Sequence, residues 1–161
     1  VLRDPRNVVV SWYYSMLETH TLMGKVPKHR EALKQLSFEE GISYCIKELN
    51  LKFQFMRSWA YHSSDPNVLI MRFEDLTSEP VEQFGKIFDF CEIDIPDKIL
   101  KEVLDDYSKE KMRDRDLQRR QGDKSHYRRG RTDWRKAFTE EHKHLFYSIT
   151  GDLVDVLGYQ R

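Results

Sequence analysis

An arginine and a serine stand eight positions apart near the start of the chain, in the segment VLRDPRNVVVSW. Asp4 is a residue type that caps helix N-termini and Pro5 suits the first helical position, so the pattern predicts a helix that begins here and runs towards Met16. Arg3 would then precede the helix, and Ser11 would lie about two turns into it. A guanidinium, a hydroxyl and a helix N-terminus can together bind one phosphate group. The alternative is an Arg3–Asp4 ion pair with Ser11 facing solvent.

A second segment, HYRRGRTDWRKAFT over residues 126–139, combines clustered arginines with aromatic side chains and a glycine. Arginine recognises phosphate through paired hydrogen bonds, aromatic rings can stack on a base, and Gly130 lets the backbone approach a ligand closely. Basic residues greatly outnumber acidic ones over residues 109–136, although the whole chain balances 27 Lys and Arg against 27 Asp and Glu. The segment therefore predicts contact with an anion.

Together, the two segments resemble the nucleotide-binding elements of the sulfotransferase family, whose sulfuryl donor is 3′-phosphoadenosine 5′-phosphosulfate (PAPS). Residues 3–11 match the family's R-D/N-P-x-D/N-x-x-x-S element, which holds the 3′-phosphate of the donor. Residues 128–138 match its R-K/R-G-x-x-G-D-W-x-x-x-F element, with one residue fewer between Gly130 and Asp133.

Two shorter stretches between these segments strengthen the resemblance. Phe73-Glu74-Asp75-Leu76 resembles the family's Y/F-E-D-L, whose aromatic ring lies near the adenine. Residues 108–113, SKEKMR, resemble its S-F-E-x-M-R, with Lys109 where a base-stacking phenylalanine is usual. The elements follow the family's order over nearly the whole chain, which makes the match far more specific than any one of them.

The resemblance implies an enzyme that transfers a sulfuryl group from PAPS to an acceptor hydroxyl or amine, with catalysis by positioning and charge stabilisation. His126 and Tyr127 precede the arginine pair, where the family usually has an aromatic residue near the adenine. The acceptor, a small molecule or a carbohydrate, would be shaped by loops such as residues 18–35. Binding of PAPS, or of its product 3′-phosphoadenosine 5′-phosphate (PAP), is expected at Arg3, Ser11, Phe73, Ser108, His126, Tyr127, Arg128, Arg129 and Gly130.

No catalytic residue is expected within this chain. Family members carry a P-K-S-G-T-type phosphosulfate loop and a catalytic histidine or carboxylate before the R-D-P element, which begins here at Arg3. No glycine-rich phosphate loop of the G-x-x-x-x-G-K-[ST] type occurs elsewhere in the sequence. The chain is therefore expected to be the C-terminal portion of a sulfotransferase and to transfer no sulfuryl group by itself.

The elements that must position these residues are mostly helical. Amphipathic spacing predicts helices over residues 38–62, 81–91, 96–107 and 139–157, and apolar runs predict strands at residues 1–2 and 68–73. Ser37 and Glu40 form a capping-box pattern before the first of these helices, in which Trp59 and Tyr61 are expected to be packing residues. The expected fold class is α/β, and the resemblance implies a P-loop-NTPase-like three-layer parallel sheet with flanking helices, here a helix-rich C-terminal part. Residues 1–161 are expected to form a single domain.

Other sites and partners find little support in the sequence. No metal-ligand spacing and no run of about 18 apolar residues occurs, so neither a metal site nor a membrane partner is expected. Cys45 and Cys91 are isolated and are expected to be buried free thiols, which favours a cytoplasmic location. The family's pairing pattern, K-x-x-x-T-V-x-x-x-E, keeps Thr139 but has Glu140 and His144 at its last two defined positions, so that pairing is expected to fail and dimerisation by another surface stays open.

Two alternatives to a PAPS-dependent enzyme stay open. The first is a nucleic-acid-binding module in which residues 109–136 follow a phosphate backbone. The neutral overall charge argues against it, and no nucleic-acid partner is expected. The second is a non-catalytic, sulfotransferase-like interaction protein that binds no donor.

Overall fold

The computed structural model describes residues 1–120, 124–127 and 133–160. The chain divides into two compact units. The first unit comprises Val1–Arg3 and Tyr61–Tyr127, and the second unit comprises Asp4–Ala60 and Arg128–Arg161. The single domain expected over residues 1–161 stays a prediction.

Helices make up nearly all the regular structure of the described residues. Two short turns of other helical types accompany the α-helices. A π-helical turn, Ser15–Thr19, follows Tyr14 directly, and a 3₁₀ turn, Trp134–Lys136, lies a few residues before Glu140. In chain order the helices are α1 (Pro5–Tyr14), α2 (Val26–Lys34), α3 (Phe38–Glu48), α4 (Asn50–Ala60), α5 (Phe73–Ser78), α6 (Pro80–Phe90), α7 (Asp97–Asp106), α8 (Lys109–Arg120), α9 (Glu140–Thr150) and α10 (Leu153–Val156).

The predicted helix at the start of the chain is confirmed as α1. The Asp4 carboxylate caps it by accepting a hydrogen bond from the Arg6 N–H at 2.9 Å, and Pro5 lies in the first turn. In the second unit α1 packs on α3, where a Cβ at Gly41 would lie 2.5 Å from the ring of Tyr13. This close approach fixes the position of α1 on the core. The core of the second unit contains the buried side chains of Val9, Val10, Tyr13, Leu33, Ile42, Cys45, Ile46, Phe53, Phe146, Leu153 and Val154.

Two helices that were predicted as continuous are interrupted. The capping box of Ser37 and Glu40 starts α3 as predicted, but α3 and α4 are separated at Leu49, which is itself buried. The apolar spacing passes through this break unchanged, so the periodicity does not reveal it. The predicted helix over residues 139–157 is divided into α9 and α10 at Gly151, whose φ of +57° is accessible to glycine without strain.

The first unit is built from residues 1–3 and helices α5 to α8. The helices predicted at residues 81–91 and 96–107 are confirmed as α6 and α7. The sequence did not predict α8, because the charged stretch KEKMRDRDLQRR has few apolar residues at helical spacing. This helix carries much of the basic stretch identified in the sequence.

The expected α/β class, with a three-layer parallel sheet, is wrong for the described residues, which contain helices but no strand or sheet. The two predicted strands form a single parallel bridge between Leu2 and Arg72. Leu2 N–H donates to the Met71 carbonyl at 2.8 Å, and Phe73 N–H donates to the Leu2 carbonyl at 2.6 Å. A strand requires a ladder of partners along its length. An apolar run indicates a buried, extended segment but does not supply those partners.

Some side chains that were expected in the interior are exposed. Cys45 is buried as predicted, but Cys91 is exposed, and Trp59 and Tyr61 are 55% and 68% exposed. In α4 the buried side chain is that of Phe53, so the apolar spacing correctly predicted packing on one face of the helix only.

Within the described ranges, no helix has the length and apolar character needed to cross a membrane.

Candidate functional site

Arg3 and Phe73, two residues predicted to bind the nucleotide, meet in the first unit. The bridge at Leu2 holds the backbone next to both of them, since Phe73 N–H donates to the Leu2 carbonyl. The guanidinium carbon of Arg3 lies 4.7 Å from the centroid of the Phe73 ring, within the range of a cation–π contact. The Phe73 side chain is 39% exposed and that of Arg3 is 24% exposed. A cation and an aromatic ring therefore remain accessible at the same point.

A carboxylate lies beside this pair. Glu74 Oε1 is 4.0 Å from Arg3 Nε, and the Glu74 side chain is 37% exposed. An ion pair of this length and exposure contributes less than about 1 kcal/mol. An anionic ligand of Arg3 would compete with Glu74.

Ser108, a third predicted residue, precedes α8 in the same unit. It is half-buried, and its carbonyl accepts a hydrogen bond from Met112 N–H at 2.9 Å. Several cations of α8 are paired with aspartates of the first unit, which offsets their charge. These pairs are Lys111 with Asp105, Arg115 with Asp106, and both Arg119 and Arg120 with Asp116.

One buried carboxylate holds the segment that contains His126 and Tyr127. Asp116 is 5% exposed, and its Oδ2 accepts hydrogen bonds from Ser125 Oγ at 2.8 Å and from His126 N–H at 3.0 Å. Ser125 Oγ accepts in turn from Tyr127 N–H at 3.1 Å. The backbone of both predicted residues is thus fixed directly or through one hydroxyl.

The surroundings of Asp116 keep this carboxyl group ionised. Burial by itself would raise the pKa of Asp116, but hydrogen bonds from Arg120, Ser125, His126 N–H and Arg119 lower it well below its usual range. Arg120 Nε lies 2.8 Å and Arg119 Nη2 lies 3.1 Å from Asp116 Oδ1. Arg128, Arg129 and Gly130 follow this segment in the sequence and lie outside the described residues, so their predicted role stays a prediction.

The R-D-P element continues in the second unit, where Ser11 is half-buried on α1. Asp4 forms a two-point ion pair with Arg6, with Nε–Oδ1 at 3.0 Å and Nη2–Oδ2 at 2.8 Å. Arg6 is 1% exposed and also donates to the Gln160 carbonyl at 2.7 Å and to the Tyr147 hydroxyl at 3.3 Å. This arginine and its aspartate therefore serve the packing of α1.

The two principal motif segments are joined within the second unit. Asn7 Oδ1 accepts a hydrogen bond at 3.0 Å from the N–H of Trp134, which is 127 positions away in the chain. The guanidinium carbon of Arg6 lies 4.0 Å from the centroid of the Trp134 ring. Trp134 is 5% exposed, and its Nε1 has no hydrogen-bond partner within the described part of the chain. The helix start and the D-W element thus form one packed structure.

Sequence reasoning did not single out Arg6, Asn7 or Asp116. Asn7 carried a usable signal, because it occupies the second D/N position of the R-D-P element. Arg6 occupies a variable position of that element. Asp116 gave no signal, since an aspartate within DRDLQRR resembles any charge on a solvated helix face.

The stretch expected to shape the acceptor site contains a helix. Residues 18–35 include α2, and Arg30 of this helix donates to the carbonyls of Met16 at 2.8 Å and His20 at 2.7 Å. His29 Nδ1 lies 2.8 Å from the Tyr44 hydroxyl. These contacts fix the stretch within the second unit, and its role toward an acceptor stays a prediction.

Comparisons with known proteins agree with the family resemblance found in the sequence. The family described as "Sulfotransferase domain" matches residues 1–158 of the chain. Sulfotransferase 1 family member D1 of Mus musculus is similar, with 29% identity over 108 residues, which are 65% of this chain and 33% of that protein. The chain thus spans about a third of the length of this curated relative. No solved structure matches the chain significantly.

Proposed function

This chain belongs to the sulfotransferase family, and we propose that it carries the part of the nucleotide site that recognises PAPS and its product PAP. The protein would transfer the sulfuryl group of PAPS to a hydroxyl or amine of a small-molecule or carbohydrate acceptor. The residues of this chain would bind and orient the nucleotide. When bound, PAPS itself supplies the sulfuryl group.

The contact between Arg3 and Phe73 carries this proposal. It joins a guanidinium and an aromatic ring from two separate motifs, and both stay partly exposed. A phosphorylated nucleoside needs a cationic donor for its phosphate and an apolar surface for its base, and this pair offers both chemistries. The guanidinium and the ring therefore fit a nucleotide that carries a phosphate group close to its base.

The full set of proposed ligand-binding residues is taken from the four motifs. Arg3, Ser11, Arg128, Arg129 and Gly130 are assigned to the 3′-phosphate. Phe73, Ser108, His126 and Tyr127 are assigned to the adenosine. In the first unit the backbone of His126 and Tyr127 is already fixed by hydrogen bonds, so little conformational entropy is lost when a ligand binds there.

Calorimetry on the full-length protein tests the proposal. We expect PAP to bind at least about tenfold more tightly than AMP or ADP, because each charged hydrogen bond to the 3′-phosphate contributes on the order of 1.5–3 kcal/mol. Arg3→Ala should remove much of that preference. Equal affinities for PAP and AMP, or an unchanged preference in Arg3→Ala, would contradict the assignment.

Arg115→Ala is the matched control. Arg115 also lies over an aromatic ring, with its guanidinium carbon 5.5 Å from the centroid of Tyr107, and also pairs with a carboxylate, Asp106, at 2.7 Å. Arg115 is not one of the proposed ligand-binding residues. Its replacement should leave the preference for PAP unchanged, which separates a specific role of Arg3 from a general loss of positive charge.

The nucleic-acid alternative gains no support from the described residues. The pairing of α8 cations with Asp105, Asp106 and Asp116 reduces the positive charge that a phosphate backbone would meet. Binding of single-stranded DNA or RNA that Arg3→Ala leaves intact and Arg115→Ala weakens would favour that alternative instead.

A further inference from the structure

Asn7, in the first turn of α1, has a side-chain amide that is held in one orientation. Its Oδ1 accepts the hydrogen bond from Trp134 N–H at 3.0 Å. Because a backbone N–H only donates, the oxygen of the amide must face Trp134, and the NH₂ group must point elsewhere. The contact that joins the two motif segments therefore also sets the direction of the two side-chain donors of Asn7.

These donors are not used within the described part of the chain. No described residue accepts a hydrogen bond from Nδ2 of Asn7. Asn7 is half-buried, and its nitrogen keeps some contact with solvent. The amide donors are therefore available to an acceptor that comes from outside the protein.

Ser11 lies one helical turn further along the same face of α1, since residues four apart on a helix are neighbours. It is half-buried, and its hydroxyl has no hydrogen-bond partner among the described residues. Other helical hydroxyls of the second unit behave differently, because those of Ser58, Ser148 and Thr150 donate to a carbonyl three or four positions earlier. Ser11 thus leaves unpaired a group that helical serines commonly satisfy within the helix.

A third unpaired donor belongs to the residue that orients Asn7. Trp134 is 5% exposed, and its Nε1 has no partner within the described ranges. A buried donor without a partner is unfavourable in free energy. The carboxylate of Asp4 does not serve these donors, since it pairs with Arg6 at both oxygens. An oxyanion, which has several acceptor oxygens, matches such a set of unpaired donors.

We propose that Asn7 is a ligand-binding residue whose Nδ2 donates to the same phosphate group as the hydroxyl of Ser11. The inference rests on the proposed function, which assigns Ser11 to the 3′-phosphate of PAPS and PAP. The R-D-P element admits aspartate or asparagine at this position, and this chain has asparagine. Either residue can accept from Trp134 N–H, but only asparagine also carries donors, whereas an aspartate would repel a phosphate.

The test measures the affinities of the full-length protein for PAP and AMP by calorimetry, in the wild type, Asn7→Asp and Asn7→Ala. Both variants should reduce the ratio of the two affinities at least about tenfold, because each loses a hydrogen bond to a charged group. Their stabilities should differ. Asn7→Asp keeps an acceptor for Trp134 N–H and should retain the wild-type midpoint of urea unfolding, whereas Asn7→Ala loses that contact and should have a lower midpoint.

Asn50→Asp is the matched control for the added negative charge. Asn50 is an exposed amide in the same unit, at the start of α4. It is not one of the proposed ligand-binding residues. Its replacement should leave the ratio of the two affinities as in the wild type.

The pattern across the variants decides the outcome. A wild-type ratio near one contradicts the proposed function, whereas a high wild-type ratio that both Asn7 variants retain contradicts the role of Asn7 alone. A ratio lowered only in Asn7→Asp would be an effect of charge, and a ratio lowered only in Asn7→Ala would be an effect of the lost contact with Trp134. Either result overturns the inference.

Salt dependence covers the case in which Asn7→Ala does not fold. Asn7→Asp is then measured at low and at high salt, because salt screens the repulsion between partly exposed charges. A reduced ratio that persists at high salt supports a lost hydrogen bond to the ligand. A ratio that returns to the wild-type value at high salt overturns the inference.

Discussion

Arg3 and Arg6 stand three positions apart in one motif, but they differ in burial and in the partners of their guanidinium groups. Arg6 is 1% exposed, forms a two-point ion pair with Asp4 and lies over the ring of Trp134. Arg3 is partly exposed and lies beside a ring that is itself 39% exposed, with its carboxylate neighbour 4.0 Å away. The same side chain therefore has a structural role at one position and is accessible to a ligand at the other. The contrast indicates that partners and burial, rather than residue type, decide which arginine of this element remains accessible to an anion.

The electrostatics of Arg6 explain why this side chain stabilises the fold and is not available to a ligand. Burial alone would lower the pKa of its guanidinium, but the hydrogen bond and the negative charge of Asp4 raise it, so the guanidinium stays charged inside the second unit. The remaining donors of Arg6 are used by the Gln160 carbonyl and the Tyr147 hydroxyl. A phosphate would have to displace protein groups that already satisfy this side chain.

The largest expected effect separates the two arginines by stability. Arg6→Ala should lower the free energy of unfolding by about 3–5 kcal/mol, because it leaves the buried Asp4 carboxylate without its charged partner. Arg3→Ala should lower it by less than about 1 kcal/mol, since its ion pair with Glu74 is long and partly exposed. Urea unfolding of the two variants measures the difference.

Arg6→Lys is the conservative control for that comparison. Lysine keeps the positive charge but cannot reproduce the two hydrogen bonds to Asp4 or the contact of a planar guanidinium with the ring of Trp134. Its stability should therefore fall between those of the wild type and Arg6→Ala. Equal losses in Arg6→Ala and Arg3→Ala would show that the distinction between a structural and an accessible arginine is wrong.

The second prediction concerns Asp116, the buried carboxylate of the first unit. Its pKa is lower in the folded than in the unfolded protein, so its contribution to stability is present above the unfolded value of about 3.9 and is lost as pH falls towards the folded value. At pH 7, Asp116→Asn should lower the free energy of unfolding by about 2 kcal/mol, the scale of a charged hydrogen bond. The difference from the wild type should shrink as pH falls below about 4. Urea unfolding between pH 7 and the lowest pH at which both proteins fold measures it, and a difference independent of pH would contradict this account.

Part of the local structure around the candidate site was predictable, because it depends on contacts between residues that are close in sequence. The cap at Asp4 and Pro5 and the capping box at Ser37 follow from short motifs whose partners lie a few residues away. The assignment of Phe73 to the nucleotide rests on the residue types of a motif and stays a prediction. The contact of Arg3 with Phe73 agrees with the motif order. The hydrogen bond of Asn7 to Trp134 joins positions 127 residues apart, and no periodicity predicts such a contact.

The fold was less predictable, for a related physical reason. Apolar spacing identified most helices but not the break at Leu49, because a buried residue there keeps the pattern intact. The expected sheet depended on partners for residues 68–73, and a strand pattern contains no information about whether a partner is present. Asp116 shows the same limit at one residue, since nothing in a run of alternating charges distinguishes the carboxylate that becomes buried.

The smallest expected effect sharpens the contrast between the carboxylates beside the two arginines. Asp4 stabilises the second unit through Arg6, whereas Glu74 would compete with a nucleotide phosphate for Arg3. Glu74→Gln should therefore strengthen PAP binding by about two- to fivefold, the range for an exposed pair that contributes less than about 1 kcal/mol, and should change stability little. The gain should shrink as salt is raised, because salt screens exposed charges. Calorimetry at low and physiological salt measures it, with Asp75→Asn as the control, since that change removes the same charge from the neighbouring exposed position.

If Glu74→Gln and Asp75→Asn strengthen PAP binding equally, the change in overall charge is the cause, and Glu74 does not compete specifically with the ligand for Arg3. If Glu74→Gln weakens binding, the carboxylate orients Arg3 for the ligand, and the two arginines of the motif are more alike than their exposure indicates.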